Sequence, residues 1–266
     1  MMQSRAAVTQ STMSESPPKR RTRQDYHEVS ARLTQGPTGS SLVGYDFLDI
    51  GSSKGGSIDF ARNVLGGKRG LGVDLNAANV EHMRLRGYDC LHGDIAQMTF
   101  PAKSVRFAVM HHVLEHMPLH KVYRAVECAS NVATDFMYIR GPYFDADAFL
   151  RRHGLKFYWS DWHGHKCHLT ISLLQAVLRS LHLEEFSIMG KTPVNDSLDD
   201  SIHPLDSPAD QHQYDPHEHP PKPSIRFNPP RHREIICLVR LRALPYWQQL
   251  LRVHRDCEVI GGTLSV

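Results

Sequence analysis

The sequence predicts an α/β domain built around a mostly parallel sheet. From Tyr45 onward, short apolar runs that suit buried strands alternate with amphipathic runs that suit helices. Strands and helices that alternate in this way form a parallel sheet with helices on both faces. The expected strands are residues 47–50, 70–75, 88–91, 105–110, 135–139, 184–188 and 235–241.

Length and composition limit the class of protein. The 266 residues suit one domain with extensions, and a net charge of +3 gives no whole-protein signal for nucleic-acid binding. The five cysteines form no C-x-x-C pair, which indicates buried free thiols in a reducing compartment. No apolar run approaches the ~20 residues of a membrane span. We therefore expect a soluble, cytoplasmic protein without a membrane partner.

The first strand leads into a glycine-spaced turn. Residues 47–57 read FLDIGSSKGGS, and an amphipathic helix follows for which Ser57 is the expected N-cap. Glycines let the backbone come close to a ligand, and the start of a helix presents unpaired N–H groups. Similar turns also occur in α/β proteins whose loops hold no ligand. The motif alone therefore leaves a ligand cradle and a structural turn equally open.

The second strand ends in an acid that narrows this choice. Asp74 follows Gly55 by about 20 residues, at the tip of the neighbouring strand. An acid so placed accepts hydrogen bonds from both hydroxyls of a ribose, so a nucleoside-containing cofactor is predicted. The alternative role for Asp74 is that of a helix N-cap or a surface acid, because Asn76 and a helix follow.

Asp49 distinguishes between two classes of cofactor. A carboxylate two residues before Gly51 would repel a pyrophosphate, whereas it suits an ammonium or sulfonium group. The glycine spacing also departs from the G-x-G-x-x-G of dinucleotide sites. Three later motifs, GVD at 72–74, HGDI at 92–95 and FAVMHHVLEH at 107–116, follow in order. With them, residues 45–188 resemble the class I S-adenosylmethionine-dependent methyltransferases, in particular their type 11-like methyltransferase domain.

The resemblance implies a fold and a cofactor. The fold is a three-layer, Rossmann-like sandwich with a mostly parallel seven-stranded sheet and an antiparallel last strand, and the cofactor is S-adenosyl-L-methionine. Asp49, Gly51 and Gly55 would shape its methionine end, and Asp74 would hold its ribose. The complete set of predicted cofactor-binding residues is Asp49, Gly51, Ser52, Ser53, Gly55, Asp74, Leu75, Asp94, Ile95 and His111.

Asp94 and Ile95 have two alternative roles. The resemblance implies that the acid receives the adenine amino group and that the isoleucine packs on the ring. Alternatively, Asp94 is a loop acid that caps the turn at 95–98.

Histidines follow two of the predicted strands and are candidates for catalysis. Ligands of open α/β sheets bind outside the carboxyl ends of the strands, and a histidine there has a pKa suited to a general base. The alternative is a structural role in fixing the loop. The candidate catalytic residues are His111, His112, His116, His163 and His165.

The segment 157–168 is the least generic part of the chain, with four aromatic residues and three histidines close together before a helix. We expect it to form an acceptor pocket lined by Tyr143, Trp159, Trp162, His163 and His165. The histidines of the segment, together with Cys167, match no structural zinc spacing, so we expect hydrogen-bonded loop histidines and no metal.

The chain divides into four predicted segments. Residues 1–40 are a disordered basic tail with a short helix, and residues 41–190 are the core that binds S-adenosylmethionine. Residues 191–232 hold nine of the sixteen prolines, and seven acids and five histidines, which indicates a flexible insert. Residues 233–266 supply the closing strand and a C-terminal helix of the same domain.

These observations predict a methyltransferase that acts on an unidentified small-molecule acceptor. One alternative is a non-catalytic, methyltransferase-like binding or scaffold protein, for which the insert 191–232 would contact a protein partner. The other is an NAD(P)-dependent oxidoreductase, against which Asp49 and the glycine spacing argue.

Overall fold

The computed structural model describes residues 42–264. The predicted basic tail and its short helix lie outside these residues. The strands are β1 (Phe47–Ile50), β2 (Gly70–Asp74), β3 (Asp89–His92), β4 (Val105–His111), β5 (Ala133–Pro142), β6 (Leu155–Phe157), β7 (Phe186–Asp196), β8 (Ile202–Pro204), β9 (Arg226–Arg240) and β10 (Glu258–Gly262). The helices are α1 (Gly56–Asn63), α2 (Ala77–Leu85), α3 (Leu119–Val132), α4 (Asp147–Arg152), α5 (Ile171–Ser180) and α6 (Trp247–Arg252), and a 3₁₀ helix spans Leu114–His116.

One eight-stranded sheet has the order β10-β7-β9-β5-β4-β1-β2-β3, and β6 pairs with β8 in a second, small sheet. Strands β1 to β5 are parallel, whereas β9 runs antiparallel to β5 and to β7. The predicted fold class and the antiparallel closing strand are confirmed. Strand β10, which follows the C-terminal helix and adds an antiparallel edge beside β7, was not predicted. The strand order reverses between β1 and β4, which is where open sheets bind ligands.

Helices cover both faces of the sheet. On one face, α3 and α5 pack on the larger apolar core, to which α3 contributes Val122, Ala125 and Ala129 at helical spacing. On the other face, α1, α2 and α6 pack on a second core around Phe47 and Phe107, whose rings stack at 5.0 Å. Every residue of β1 and β2 is buried, as expected for parallel strands covered on two sides.

The segment 191–232 is more regular than its composition suggests. Strand β7 continues to Asp196 and β9 begins at Arg226, so the two closing strands extend as a hairpin into the predicted insert. Strand β8 pairs with β6, and His203 within it is fully buried. The segment predicted as a flexible insert therefore contains paired strands and a buried side chain. Lys222 explains part of the order, because its ammonium donates to three backbone carbonyls of residues 198–202.

Candidate functional site

The glycine turn connects β1 to α1. Gly51 has a φ of +74°, and a Cβ atom there would lie 2.3 Å from Cγ2 of Val113, so only glycine fits. At Gly55, a Cβ would lie 2.8 Å from Sδ of Met83, so this glycine serves the packing of α2. Helix α1 begins at Gly56 with Gly55 as its N-cap, and the expectation that Ser57 caps it is wrong.

Asp49 is fully buried at the end of β1. Its Oδ2 accepts a hydrogen bond of 2.6 Å from the Ser57 hydroxyl, whereas Oδ1 has no partner among the described residues. Burial raises the pKa of Asp49 to about 7, and the bond from Ser57 opposes this shift. The Ser52 hydroxyl donates to the Asp49 carbonyl at 3.0 Å. Asp49 and Ser52 are thus buried beneath the glycine turn and stabilise its conformation.

Asp74 joins the glycine turn to the start of α2. Its Oδ2 accepts the backbone N–H of Ser53 at 2.7 Å, and its Oδ1 accepts the N–H of Asn76 at 2.8 Å. The N-cap of α2 is Asn76, whose side chain accepts from the N–H of Ala78, so Asp74 is not the cap itself. A carboxylate offers about four acceptor positions. Even with the amide of Asn79 at 3.3 Å, Asp74 keeps capacity for a hydroxyl group.

Asp94 lies after β3 and carries an unexpected ion pair. The ammonium of Lys121 donates to its Oδ2 at 2.6 Å, and the N–H of Ala96 donates to its Oδ1 at 3.1 Å. The bond from Lys121 lowers the pKa of Asp94, although its partial burial opposes this. The alternative role, in which Asp94 caps the following turn, is therefore part of the structure. Lys121 belongs to α3, and no sequence motif pairs it with Asp94.

These residues converge on a cleft of about 350 Å³ at the carboxyl ends of β1, β2 and β3. The predicted cofactor-binding residues that line it are Gly51, Ser53, Asp74, Leu75, Asp94 and Ile95. Four other predicted residues, namely Asp49, Ser52, Gly55 and His111, are not among its lining residues. The lining also includes residues that were not predicted, among them Asn79, Val113, Met117 and Lys121.

His111 points away from the cleft. Its ring stacks on Phe60 at 5.6 Å and on Tyr138 at 6.4 Å, on the α1 side of the sheet. Burial lowers the pKa of His111 to about 3, and its Nε2 has no hydrogen-bond partner within residues 42–264. The structure therefore does not bring His111 to the cofactor or the acceptor. His112, which follows the end of β4 with a φ of +53°, instead lines both the cleft and the neighbouring pocket.

His112 lies between two carboxylates. Its Nδ1 donates to Oε1 of Glu115 at 3.2 Å, and its Nε2 donates to Oε1 of Glu234 at 2.7 Å. Burial alone would lower the pKa of His112, but these two bonds raise it to about 9. Arg140 completes the cluster with three hydrogen bonds of 2.6 to 3.0 Å to Glu234. Because both ring nitrogens carry protons, His112 has no lone pair with which to act as a base.

A second pocket of about 500 Å³ adjoins the cleft. His112 and His116 line both cavities. Of the residues predicted for the acceptor, Trp159, Trp162 and His165 line this pocket. Tyr158, Thr192, Arg233 and Glu234 also line it and were missed.

Two of the residues predicted for the acceptor pocket, Tyr143 and His163, do not line it. The ring of Tyr143 packs edge-on against His232 at 5.7 Å, and its carbonyl accepts the Trp159 indole N–H at 3.3 Å. Tyr143 thus fixes the position of the Trp159 indole through this hydrogen bond. The side chain of His163 is 83% exposed and pairs with Asp210, so it does not line the pocket.

His116 and His165 are the predicted histidines that line the pocket with an available nitrogen. Nδ1 of His116 donates to the carbonyl of Gly164 at 3.0 Å, and Nδ1 of His165 donates to that of Trp159 at 2.8 Å. A carbonyl only accepts, so the lone pair of each neutral ring is on Nε2. His168, by contrast, stacks on Phe144. The histidines of 163–168 therefore do not converge on one another.

Comparisons with known proteins agree with this geometry. Residues 48–134 match the family model described as a methyltransferase domain. A solved S-adenosylmethionine-dependent methyltransferase from Archaeoglobus fulgidus shares 14% identity, covers 81% of this chain and 94% of its own, and superposes with a TM-score of 0.52. A putative methyltransferase from Bacillus halodurans has the same identity and TM-score, with 83% and 100% of the two chains covered. The chain has the class I methyltransferase fold.

A curated relative of this methyltransferase-fold chain is a probable S-adenosylmethionine-dependent methyltransferase of Mycolicibacterium smegmatis. It is 34% identical over 77 residues, a match that covers 28% of this chain and 29% of the relative. The predicted resemblance to the family is confirmed by this relative and by the family match at 48–134. No helix within residues 42–264 is long and apolar enough to cross a membrane.

S-adenosylmethionine is the cofactor that the methyltransferase family implies, and the cleft fits it. Two carboxylates, Asp74 and Asp94, offer acceptors to hydroxyl and amino groups, and the buried Ile95 offers an apolar contact. The unpartnered Oδ1 of Asp49 is a buried acceptor that a nearby cation would stabilise. The residues present therefore suit a nucleoside with a positively charged tail.

Proposed function

We propose that this chain transfers a methyl group from S-adenosylmethionine to a small-molecule acceptor. The observation that carries the proposal is that the nucleoside-type cleft and the aromatic pocket meet at His112 and His116. A pocket of about 500 Å³ lined by Tyr158, Trp159 and Trp162 suits a small, partly apolar molecule. A donor in the cleft and an acceptor in the pocket would thus face each other across these two histidines.

The cleft residues have separate roles in the proposed site. Asp74 accepts a ribose hydroxyl, and Asp94 accepts the adenine amino group while Lys121 holds its other oxygen. Asp49 lies beneath the glycine turn and supplies negative charge near the methionine end of the cofactor without lining the cleft. The cofactor supplies a sulfonium methyl group for an in-line displacement. The contribution of the protein is to align the acceptor and to exclude water.

Acceptor activation falls to His116 and His165 in this proposal. Of the five predicted catalytic histidines, these two combine a place in the pocket with a free Nε2 lone pair. Alanine at either position should lower turnover, and His165→Ala should do so with cofactor binding intact because His165 does not line the cofactor cleft. Full activity in both variants would remove any role of these rings.

The first test is binding, because it does not require the acceptor. Calorimetry with S-adenosylmethionine, S-adenosylhomocysteine and NAD(H) should show micromolar binding of the first two only. Asp74→Ala should abolish it, whereas Asp256→Ala, in a side chain that is 95% exposed, should not. Binding of NAD(H) alone would favour the oxidoreductase alternative. Binding of none of them would leave the scaffold alternative.

A further inference from the structure

Glu115, His116 and His165 form a cluster at the boundary of the two cavities. Each offers one ligand atom, and these atoms lie within 4.8 Å of one another. Glu115 and His116 end the 3₁₀ helix after β4, whereas His165 comes from the loop after β6. The set combines two imidazoles and a carboxylate from segments that no single sequence motif spans.

Backbone hydrogen bonds hold the two segments together. The N–H groups of Lys166 and Cys167 both donate to the carbonyl of Glu115, at 2.7 and 3.1 Å. His116 in turn donates to the carbonyl of Gly164 in the same loop. The proximity of the three side chains is therefore a property of the main-chain fold, and not of one side-chain rotamer.

The rings and the carboxylate are oriented as metal ligands usually are. Metal-binding histidines donate their other ring N–H to a carbonyl or carboxylate, which fixes the tautomer. His116 and His165 both do so through Nδ1, and His112 donates to Oε1 of Glu115. Glu115 is buried, His165 is half-buried and His116 is exposed. One side of the cluster therefore faces the protein interior and the other side faces solvent. An ion could enter from the pocket.

We propose that Glu115, His116 and His165 bind a divalent first-row transition metal ion. Two nitrogen ligands and one carboxylate suit Zn²⁺ or Fe²⁺, whereas Ca²⁺ and Mg²⁺ prefer oxygen ligands alone. Around a tetrahedral ion with bonds of about 2.1 Å, ligand atoms lie roughly 3.4 Å apart. The three side chains would therefore draw closer when the ion binds.

The site, taken with the proposed function on which this step rests, indicates a class of acceptor. Three protein ligands leave an open position on a four-coordinate ion, which water or an acceptor oxygen takes. A metal ion lowers the pKa of a bound hydroxyl. The acceptor would then be a hydroxyl compound that binds the ion and releases its proton to water. Its oxygen would take the methyl group as the S–CH3 bond breaks and S-adenosylhomocysteine leaves, and the two histidines would act as ligands rather than as a base.

Zn²⁺ titration of chelator-treated full-length protein tests the site. We expect one ion per chain by calorimetry, and a visible absorption band of tetrahedral coordination when Co²⁺ replaces Zn²⁺. His116→Gln and His165→Gln should each weaken Zn²⁺ binding by about 100-fold or more and remove the Co²⁺ band. His153→Gln is the matched control, because His153 also donates Nδ1 to a carbonyl but lies on the exposed α4 side, outside the cluster.

Two results would overturn the proposal. One is a wild-type protein that binds neither ion, and the other is equal binding by all three variants, which would mean that other histidines bind the metal. S-adenosylhomocysteine binding, measured on the same samples, separates this proposal from the proposed function. Metal binding without nucleoside binding would refute the methyltransferase assignment alone, and the reverse result would refute the metal site alone.

Discussion

The hydroxyl of Ser57 donates a hydrogen bond of 2.6 Å to Oδ2 of Asp49, while Oδ1 of the same carboxylate has no partner in the described part of the chain. One hydrogen bond does not compensate a fully buried charge. The carboxyl group therefore has a pKa of about 7 and is partly protonated at neutral pH. A cation near the glycine turn would favour its ionised form.

Binding of S-adenosylmethionine should therefore release protons. The released fraction should be largest near pH 6 to 7, where the free protein still holds the Asp49 proton. Calorimetry at one pH in buffers of different ionisation enthalpy measures this release directly. Asp49→Asn should bind the ligand without it, and an unchanged release in this variant would contradict the assignment.

The carboxyl group of Asp49 should also make the free energy of unfolding depend on pH. Its pKa is raised from 3.8 to about 7, so the unfolded chain ionises first and the free energy of unfolding falls as pH rises between about 4 and 7. The decline should be smaller in Asp49→Asn. Urea denaturation at several pH values between 4 and 8 provides the comparison.

Gly51→Ala should destabilise the protein by about 3 kcal/mol. The left-handed backbone costs about 1 kcal/mol for alanine, and the overlap with Val113 adds about 1–3 kcal/mol. Gly66→Ala is the control, because Gly66 has a φ of +71° but no atom within 4 Å of the new Cβ. Urea denaturation should show a loss of only about 1 kcal/mol there. Equal losses would mean that Val113 moves aside.

Glu234→Gln should weaken the His112–Arg140 cluster. It leaves two partly buried cations with a neutral partner, which should cost about 2 kcal/mol at pH 7. Burial opposes ionisation, but the bonds from His112 and Arg140 lower the pKa of Glu234 to about 2. The stabilisation that ionised Glu234 provides is fully present above about pH 4.5 and is lost as pH falls toward 2. The variant should therefore lose less stability on acidification, and a parallel decline would contradict this role.

Lys156→Met should loosen the segment that follows β8. Lys156 is buried, and its ammonium donates to Asp161 and to the carbonyl of Ser207. Methionine leaves both acceptors without this donor, so amide hydrogen exchange should accelerate in residues 202–210. Lys68→Met, at an exposed position, is the control. Unchanged exchange in the first variant would mean that other contacts hold this segment.

The sequence by itself determined the strand–turn–helix unit and the acids at the strand tips. Alternating strand and helix patterns, Gly51 and the position of Asp74 are local signals, since each depends on residues close along the chain. They were sufficient to predict the parallel sheet and the places of Gly51 and Asp74 in the cleft, whereas the family resemblance supplied Ser53, Leu75, Asp94 and Ile95. The different orientations of His111 and His112 were not predictable from strand alternation, because β4 ends at His111 and His112 has a φ of +53°.

Only the tertiary structure decided which distant side chains meet. Glu234 bonds to His112 across 122 residues, Lys121 to Asp94 across 27, and the loop of His165 docks on Glu115. The first pair depends on the register of β9 against β5. The other two depend on where α3 and the loops after β3 and β6 pack on the sheet. The pattern of residue types along one strand indicates which of its residues are buried, but it does not indicate which residues of a distant segment lie opposite them. For the same reason, the composition of 191–232 suggested a flexible insert, whereas strand pairing orders much of it.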